Sequence, residues 1–176
     1  MNNPRLPTFL FCFLLLLGIL QCVHLYPQLP DVMASHFTGR GLPNNWQPKP
    51  AFFLLFAVVT AVCAIPAFLV PRRLPKLPPD KINLPNKSYW LAPSRREDTF
   101  RFFRVQMAWW GCALLALLLY TMVLAMNANL PGVGYFNWQG MWFALAAFLL
   151  FTVFWLTHFV RHFRNAPHSG LSSPTR

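Results

Sequence analysis

Four apolar stretches, each free of Asp, Glu, Lys and Arg, divide the chain: residues 8–25, 51–70, 107–126 and 140–160. Their lengths of 18 to 21 residues match an α-helix crossing a hydrocarbon core about 30 Å thick, which needs about 20 residues. In hydrocarbon the backbone must satisfy its own hydrogen bonds, so helix is the form these stretches take. The pattern predicts an all-α polytopic membrane protein with four transmembrane helices. The first stretch ends in Gln21-Cys22-Val23-His24 with no small-residue cleavage site, so it reads as a retained helix and not a signal peptide. Pro66 has no N–H for the Val62 carbonyl, which predicts a bend late in the second helix.

Between the first two stretches, residues 26–50 are too polar and too broken by Pro and Gly to enter a bilayer. They are also unlike a spacer, because committed side chains stand between turn-formers. Pro30, Gly39, Gly41 and Pro43 are expected to set the backbone shape, with positive φ at the two glycines and left-handed conformations at Asn44-Asn45. Asp31, His36, Trp46 and Lys49 carry groups able to meet a ligand, although Asp31 can instead cap the turn 31–34. His36 leads this set, since neutral imidazole both donates and accepts hydrogen bonds. A compact loop of fixed shape, lying on the helix ends, is predicted.

Charge adds an orientation. The chain carries 15 Lys and Arg against 4 Asp and Glu, a net +11. Thirteen of the cations fall in the N-terminal tail, the second loop and the C-terminal tail, and two in the loop 26–50. The positive-inside rule then puts both termini and the second loop in the cytoplasm, with loop 26–50 facing outward, to periplasm or cell exterior. The basic excess points to membrane lipids as partners; no nucleic-acid motif is present.

The second loop is Pro-rich to residue 85, which suggests an extended run along the membrane surface. Ser94-Arg95-Arg96-Glu97 then has capping-box spacing. It predicts a short interfacial amphipathic helix before the third span, with Phe100, Phe103 and Met107 on one side and Glu97, Arg101 and Arg104 on another. Arg95, Arg96, Arg101, Arg104, Trp109 and Trp110 are the expected lipid-interface residues, and Trp46, Trp138 and Trp142 their counterparts on the outer side. The resulting division is 1–70 (two helices and their loop), 71–106 (basic loop), 107–160 (helical hairpin) and 161–176 (cytoplasmic tail).

Candidate chemistry changes little. Cys12, Cys22, Cys63 and Cys112 all lie in the spans without CxxC spacing and read as packing residues. His24, Asp31 and His36 could supply metal ligands, and His158 and His162 have i,i+4 spacing without the Glu of a zinc helix. Ordinary packing and hydrogen bonding account for both groups, so no metal and no cofactor is expected. No nucleophile elbow or phosphate loop is visible, and the spans lack the acids of ion-coupled transporters. The chain reads as a non-enzymatic binding or sensing protein. The alternative is a small membrane enzyme, or an accessory subunit of an envelope transport or processing complex. Small residues four apart, such as Ala108, Cys112 and Ala116, let helix backbones approach closely, and a homo-oligomer is one candidate assembly.

The pattern Leu29-Pro30-Asp31, His36-Phe37, Gly39, Gly41, Pro43, Trp46, Lys49 resembles the signature loop of a bacterial family of small membrane proteins of unknown function. The same unit forms the N-terminal part of SdpI-type immunity proteins. The stretch 83–97 resembles a second block of four-helix members, whereas the further helical unit of SdpI-type proteins has no counterpart after Trp138. The resemblance implies a two-helix unit whose outward loop meets a peptide or envelope-protein ligand, in an immunity-like or signalling role.

Overall fold

The computed structural model describes residues 5–165; beyond residue 165 the predicted tail lies outside the described residues. Each apolar stretch sits inside one long helix. The first is α1 (Arg5–Leu25) and the second α2 (Lys49–Ala64), which continues through a π-helical segment, Ile65–Leu69, into α3 (Val70–Arg73). Pro66, where a bend was expected, lies in this π-helical segment. One helical turn in the basic loop, α4 (Lys87–Trp90), precedes the other two long helices, α5 (Arg96–Ala128) and α6 (Trp138–Arg164). All four long helices are apolar enough to cross a membrane. They run past the apolar windows into polar sequence, because hydropathy marks where lipid is met and not where backbone hydrogen bonds stop.

The helix α5 is the axis of the bundle. Of its apolar window 44% is buried, against 17% for α1, 6% for α2 and 0% for α6. The first helix lies parallel to it: the Cys112 thiol donates to the Pro7 carbonyl (3.2 Å) and Cys22 meets Met122. The last helix lies antiparallel, with Trp155 Nε1 donating to the Gln106 carbonyl (3.0 Å) and Thr121 meeting Met141. The π-helical segment crosses α5 at Gly111, where a Cβ would collide with Ala67. The four cysteines are free thiols. Between α1 and α2 an apolar groove of about 540 Å³ opens, lined also by Leu119 and Met122.

The basic loop differs from expectation in detail. The helix predicted to lie at the interface before the third span is not a separate element; residues from Arg96 onward belong to α5 itself. Ser94 does not cap it. The residue before the helix is Arg95, and the Ala92 carbonyl accepts from both the Arg95 and Arg96 amides (2.9 Å each). The turn ahead of the helix thus winds directly into it and leaves Ser94 one position too early. Glu97 pairs instead with Arg101 (3.6 Å), as does Asp98 (3.1 Å). Phe100 is buried with Ile82 and Leu91 of the loop, and Phe103 packs edge-on against Phe159. Of the expected lipid-interface residues, Arg96 donates to the Pro75 and Leu77 carbonyls (3.1 and 2.9 Å). Arg95 lies 4.0 Å over the Tyr89 ring. Trp110 packs against Phe148 and Trp155 of α6, while Trp109 is half-buried.

The largest buried cluster lies at the other end of the bundle. Leu25, Leu29, Met33, Phe52, Met126 and Phe136 belong to it, so residues 26–50 have a core beneath them.

Candidate functional site

The last turn of α1 leaves carbonyls with no partner inside the helix. A 3₁₀ turn, Tyr26–Gln28, follows, and Gln28 Nε2 returns to the His24 carbonyl (2.9 Å). The carbonyls just beyond the helix draw in Lys49, the first residue of α2. Its ammonium donates to the Leu29 carbonyl (2.9 Å) and the Tyr26 carbonyl (3.4 Å) and stands 4.6 Å over the Tyr26 ring. A cation is unfavourable at the start of its own helix, but here it neutralises the negative end of a neighbouring one. Only 9% of Lys49 is exposed.

From this clamp the chain rises as a two-stranded antiparallel hairpin, β1 (Val32–Phe37) and β2 (Pro43–Pro48). Val32 pairs with Pro48, Met33 with Gln47, Ala34 with Trp46, His36 with Asn45 and Phe37 with Pro43. The register shifts on both sides of His36, leaving Ser35 and Asn44 without a rung. The turn closes with Gly41 N–H donating to the Thr38 carbonyl and Thr38 N–H to the Leu42 carbonyl, both 2.8 Å.

Three groups from the far part of the chain hold this hairpin down. The Asn129 side chain, at the end of α5, accepts from Ala34 N–H (2.6 Å) and donates to the Ala34 carbonyl (3.0 Å). It acts as a one-residue third strand on β1. Phe136 N–H donates to the Gly41 carbonyl (2.8 Å), and Trp138 Nε1 donates to the Thr38 carbonyl (2.7 Å). Gly41 has φ +81°, and a Cβ there would stand 2.6 Å from the Phe136 carbonyl oxygen, so glycine is required twice over.

The expected shape-setting residues divide. Gly41 does what was predicted. Gly39 lacks a positive φ, and a Cβ at that position would meet nothing within 4 Å. Asn44 and Asn45 are extended in β2; among described non-glycine residues only Asn86 is left-handed. One left-handed residue suffices because the turn reverses at Gly41. Pro43 opens β2 and Pro30 lies between the 3₁₀ turn and β1.

The four candidate ligand-binding residues divide as well. Lys49 is inside, committed to carbonyls. Asp31 has a fully exposed side chain 3.4 Å from the Lys49 ammonium, and does not cap the turn 31–34. His36 and Trp46 are exposed on consecutive rungs of the ladder, Trp46 by 56%. The Trp46 N–H is occupied by the Asn45 side-chain oxygen (2.9 Å). His36 and Trp46 are thus each exposed on the hairpin, while Asp31 and Lys49 stand at its base. Among the described residues no three His, Cys, Asp or Glu side chains converge as a metal site, so His24, Asp31 and His36 stay apart. Asn129 and Phe136 were not foreseen; nothing local in their sequence marks them as partners of a segment about a hundred residues earlier.

A family model described as a domain of unknown function (DUF1648) matches residues 13–60. That range holds most of α1, the whole hairpin and most of α2, and this part of the chain is similar to that family. No curated protein and no solved structure matches the chain.

Proposed function

We propose that this membrane protein binds or senses a peptide or envelope ligand through the hairpin, without catalysis. The observation that carries the reading is a division of labour within one small element. The groups that fix the hairpin's shape (Lys49, Gly41 and the backbone of Ala34) point inward and are hydrogen-bonded. His36 and Trp46 project outward from the same ladder. An imidazole and an indole on a rigid frame suit a ligand offering both a hydrogen bond and apolar area.

In the finer form of this proposal the protein sits in a bacterial inner membrane with both termini in the cytoplasm. The charge asymmetry and the grouping of the basic loop with the ends of α1 and α6 at one end of the bundle support this. The similarity of residues 13–60 to the DUF1648 model, together with the SdpI-like pattern of the loop, supports an immunity-like role against a secreted peptide.

Complementation tests the recognition surface. In a deletion strain with an envelope-stress or peptide-sensitivity phenotype, His36→Gln and Trp46→Phe are expected to fail at normal protein level. Full complementation by both removes the surface from the hairpin. Reporters active only outside the cytoplasm should work after Asn45 or Gly132 and fail after Lys81; the reverse pattern places the hairpin in the cytoplasm.

A further inference from the structure

Two arginines distant in sequence line one small pocket at the basic end of the bundle. Arg72 comes from α3 and Arg104 from the early turns of α5, and the pocket between them has a volume of about 70 Å³. That is roughly two waters' share of liquid volume at about 30 Å³ each, enough for one compact polyatomic group.

The backbone is shaped to bring these residues together. A π-helical turn holds one residue more than an α-helical register allows, which rotates everything after it by about 100°. The segment Ile65–Leu69 does this immediately before α3. The result is anchored: Ala67 and Pro71 are buried against α5 at Ala108 and Gly111. Arg72 is then directed along the apolar wall, 5.9 Å from the Phe68 ring, toward the pocket that Arg104 also lines.

No acidic side chain answers these charges. The whole chain has four acids, Asp31, Asp80, Glu97 and Asp98, and all lie among the described residues. Arg101 takes Glu97 and Asp98, and Lys49 takes Asp31 at the other end. Neither Arg72 nor Arg104 forms an ion pair with any of the four. Both arginines line this compact space, and a guanidinium fork matches the geometry of phosphate oxygens. The place matches as well. Thr8 of α1, the first residue of the first apolar stretch, is part of the wall, and Phe68 and Pro71 continue the apolar surface of the second span.

We propose that Arg72 and Arg104 form a binding site for the phosphate of a phospholipid head group at this edge of the membrane. The bound lipid bridges α1, α3 and α5, and the site is independent of any ligand at the hairpin.

Native mass spectrometry of the detergent-purified full chain tests this with phosphatidylglycerol, with diacylglycerol of the same tails, and with inorganic phosphate. Phosphatidylglycerol should bind the wild type. Arg72→Gln and Arg104→Gln should each weaken it about fivefold, as expected for one near-surface cation. Arg73→Gln, on the same short helix but outside the pocket, should leave it unchanged. Thermal melting checks that the variants fold, and Arg72→Lys and Arg104→Lys, which keep the charge, should bind more tightly than the Gln variants. Equal affinities in wild type, the Gln variants and Arg73→Gln overturn the proposal, as does diacylglycerol binding as tightly as phosphatidylglycerol. Displacement of the lipid by millimolar inorganic phosphate assigns the site to a soluble phosphate and overturns the lipid source.

Discussion

The hairpin end and the basic end of the bundle meet the same physical need in different ways. Each receives a long helix whose final carbonyls have no partner in that helix. At the hairpin end, the carbonyls after α1 are taken by the buried Lys49 ammonium, and the loop's own shape comes from a backbone ladder. At the basic end, the carbonyls closing α6 are taken by neutral side chains. Asn86 Nδ2 donates to Phe163 and Arg164 (3.2 and 2.9 Å), and Trp90 Nε1 donates to Phe163 (2.9 Å). His162 is stacked between Phe102 (3.7 Å) and Trp90 (4.8 Å). The stretch from Asn86 to Trp90 thus spends its reaching side chains on docking itself. The hairpin docks through backbone and one lysine, and keeps His36 and Trp46 free. A segment held by its main chain can present side chains; a segment held by its side chains cannot present those same groups.

The comparison breaks most visibly at Lys49. Lys49→Ala leaves the buried Leu29 carbonyl unpaired and is expected to cost roughly 2–3 kcal/mol, read as a lowered melting temperature in detergent. A Lys49→Ala protein as stable as wild type would show that the clamp does not hold the hairpin end. Next comes Asn129→Ala, which removes both hydrogen bonds to Ala34; about 2 kcal/mol is expected, with faster amide exchange at residues 32–37 as the local signature. Gly41→Ala should cost more than about 1 kcal/mol from its positive φ alone, whereas Gly39→Ala should be close to neutral. Similar losses at the two glycines would mean that both set the turn. At the basic end Asn86→Gly sharpens the contrast, since glycine accepts the left-handed backbone and only the side-chain bonds to α6 are lost. About 1 kcal/mol is expected, smaller than at Lys49, because Trp90 still serves the Phe163 carbonyl.

The four spans were legible because lipid tolerates only one backbone form, and a run free of charge announces it. Helix ends were less so. The early turns of α5 carry Arg, Glu and Asp that no hydropathy window admits, and the Ser94 capping spacing was present without the geometry to use it. The hairpin was the least legible element. Val32-Met33-Ala34-Ser35-His36-Phe37 has no strict alternation, and Pro43-Asn44-Asn45-Trp46-Gln47-Pro48 is poor in strand formers. Its stability comes from Asn129, Phe136 and Trp138 and from a core shared with α5, all distant in sequence. Within the candidate site, exposure of His36 and Trp46 could be guessed from residue type. The burial of Lys49 could not, because it depends on where the end of α1 lies in space.

The two prolines that bound β2 have a bearing on neighbours. A hairpin has an open flank on each strand, and such a flank invites another chain to add itself as a strand. On β1 that invitation is declined by Asn129. On β2, Pro43 and Pro48 have no N–H to offer, and the N–H of Trp46 is already taken by Asn45. Copies crowded in one membrane therefore have little main chain with which to zip together into aggregates. Any partner has to be selected by the shape and chemistry of side chains, since an extended peptide of arbitrary sequence finds no ladder to join.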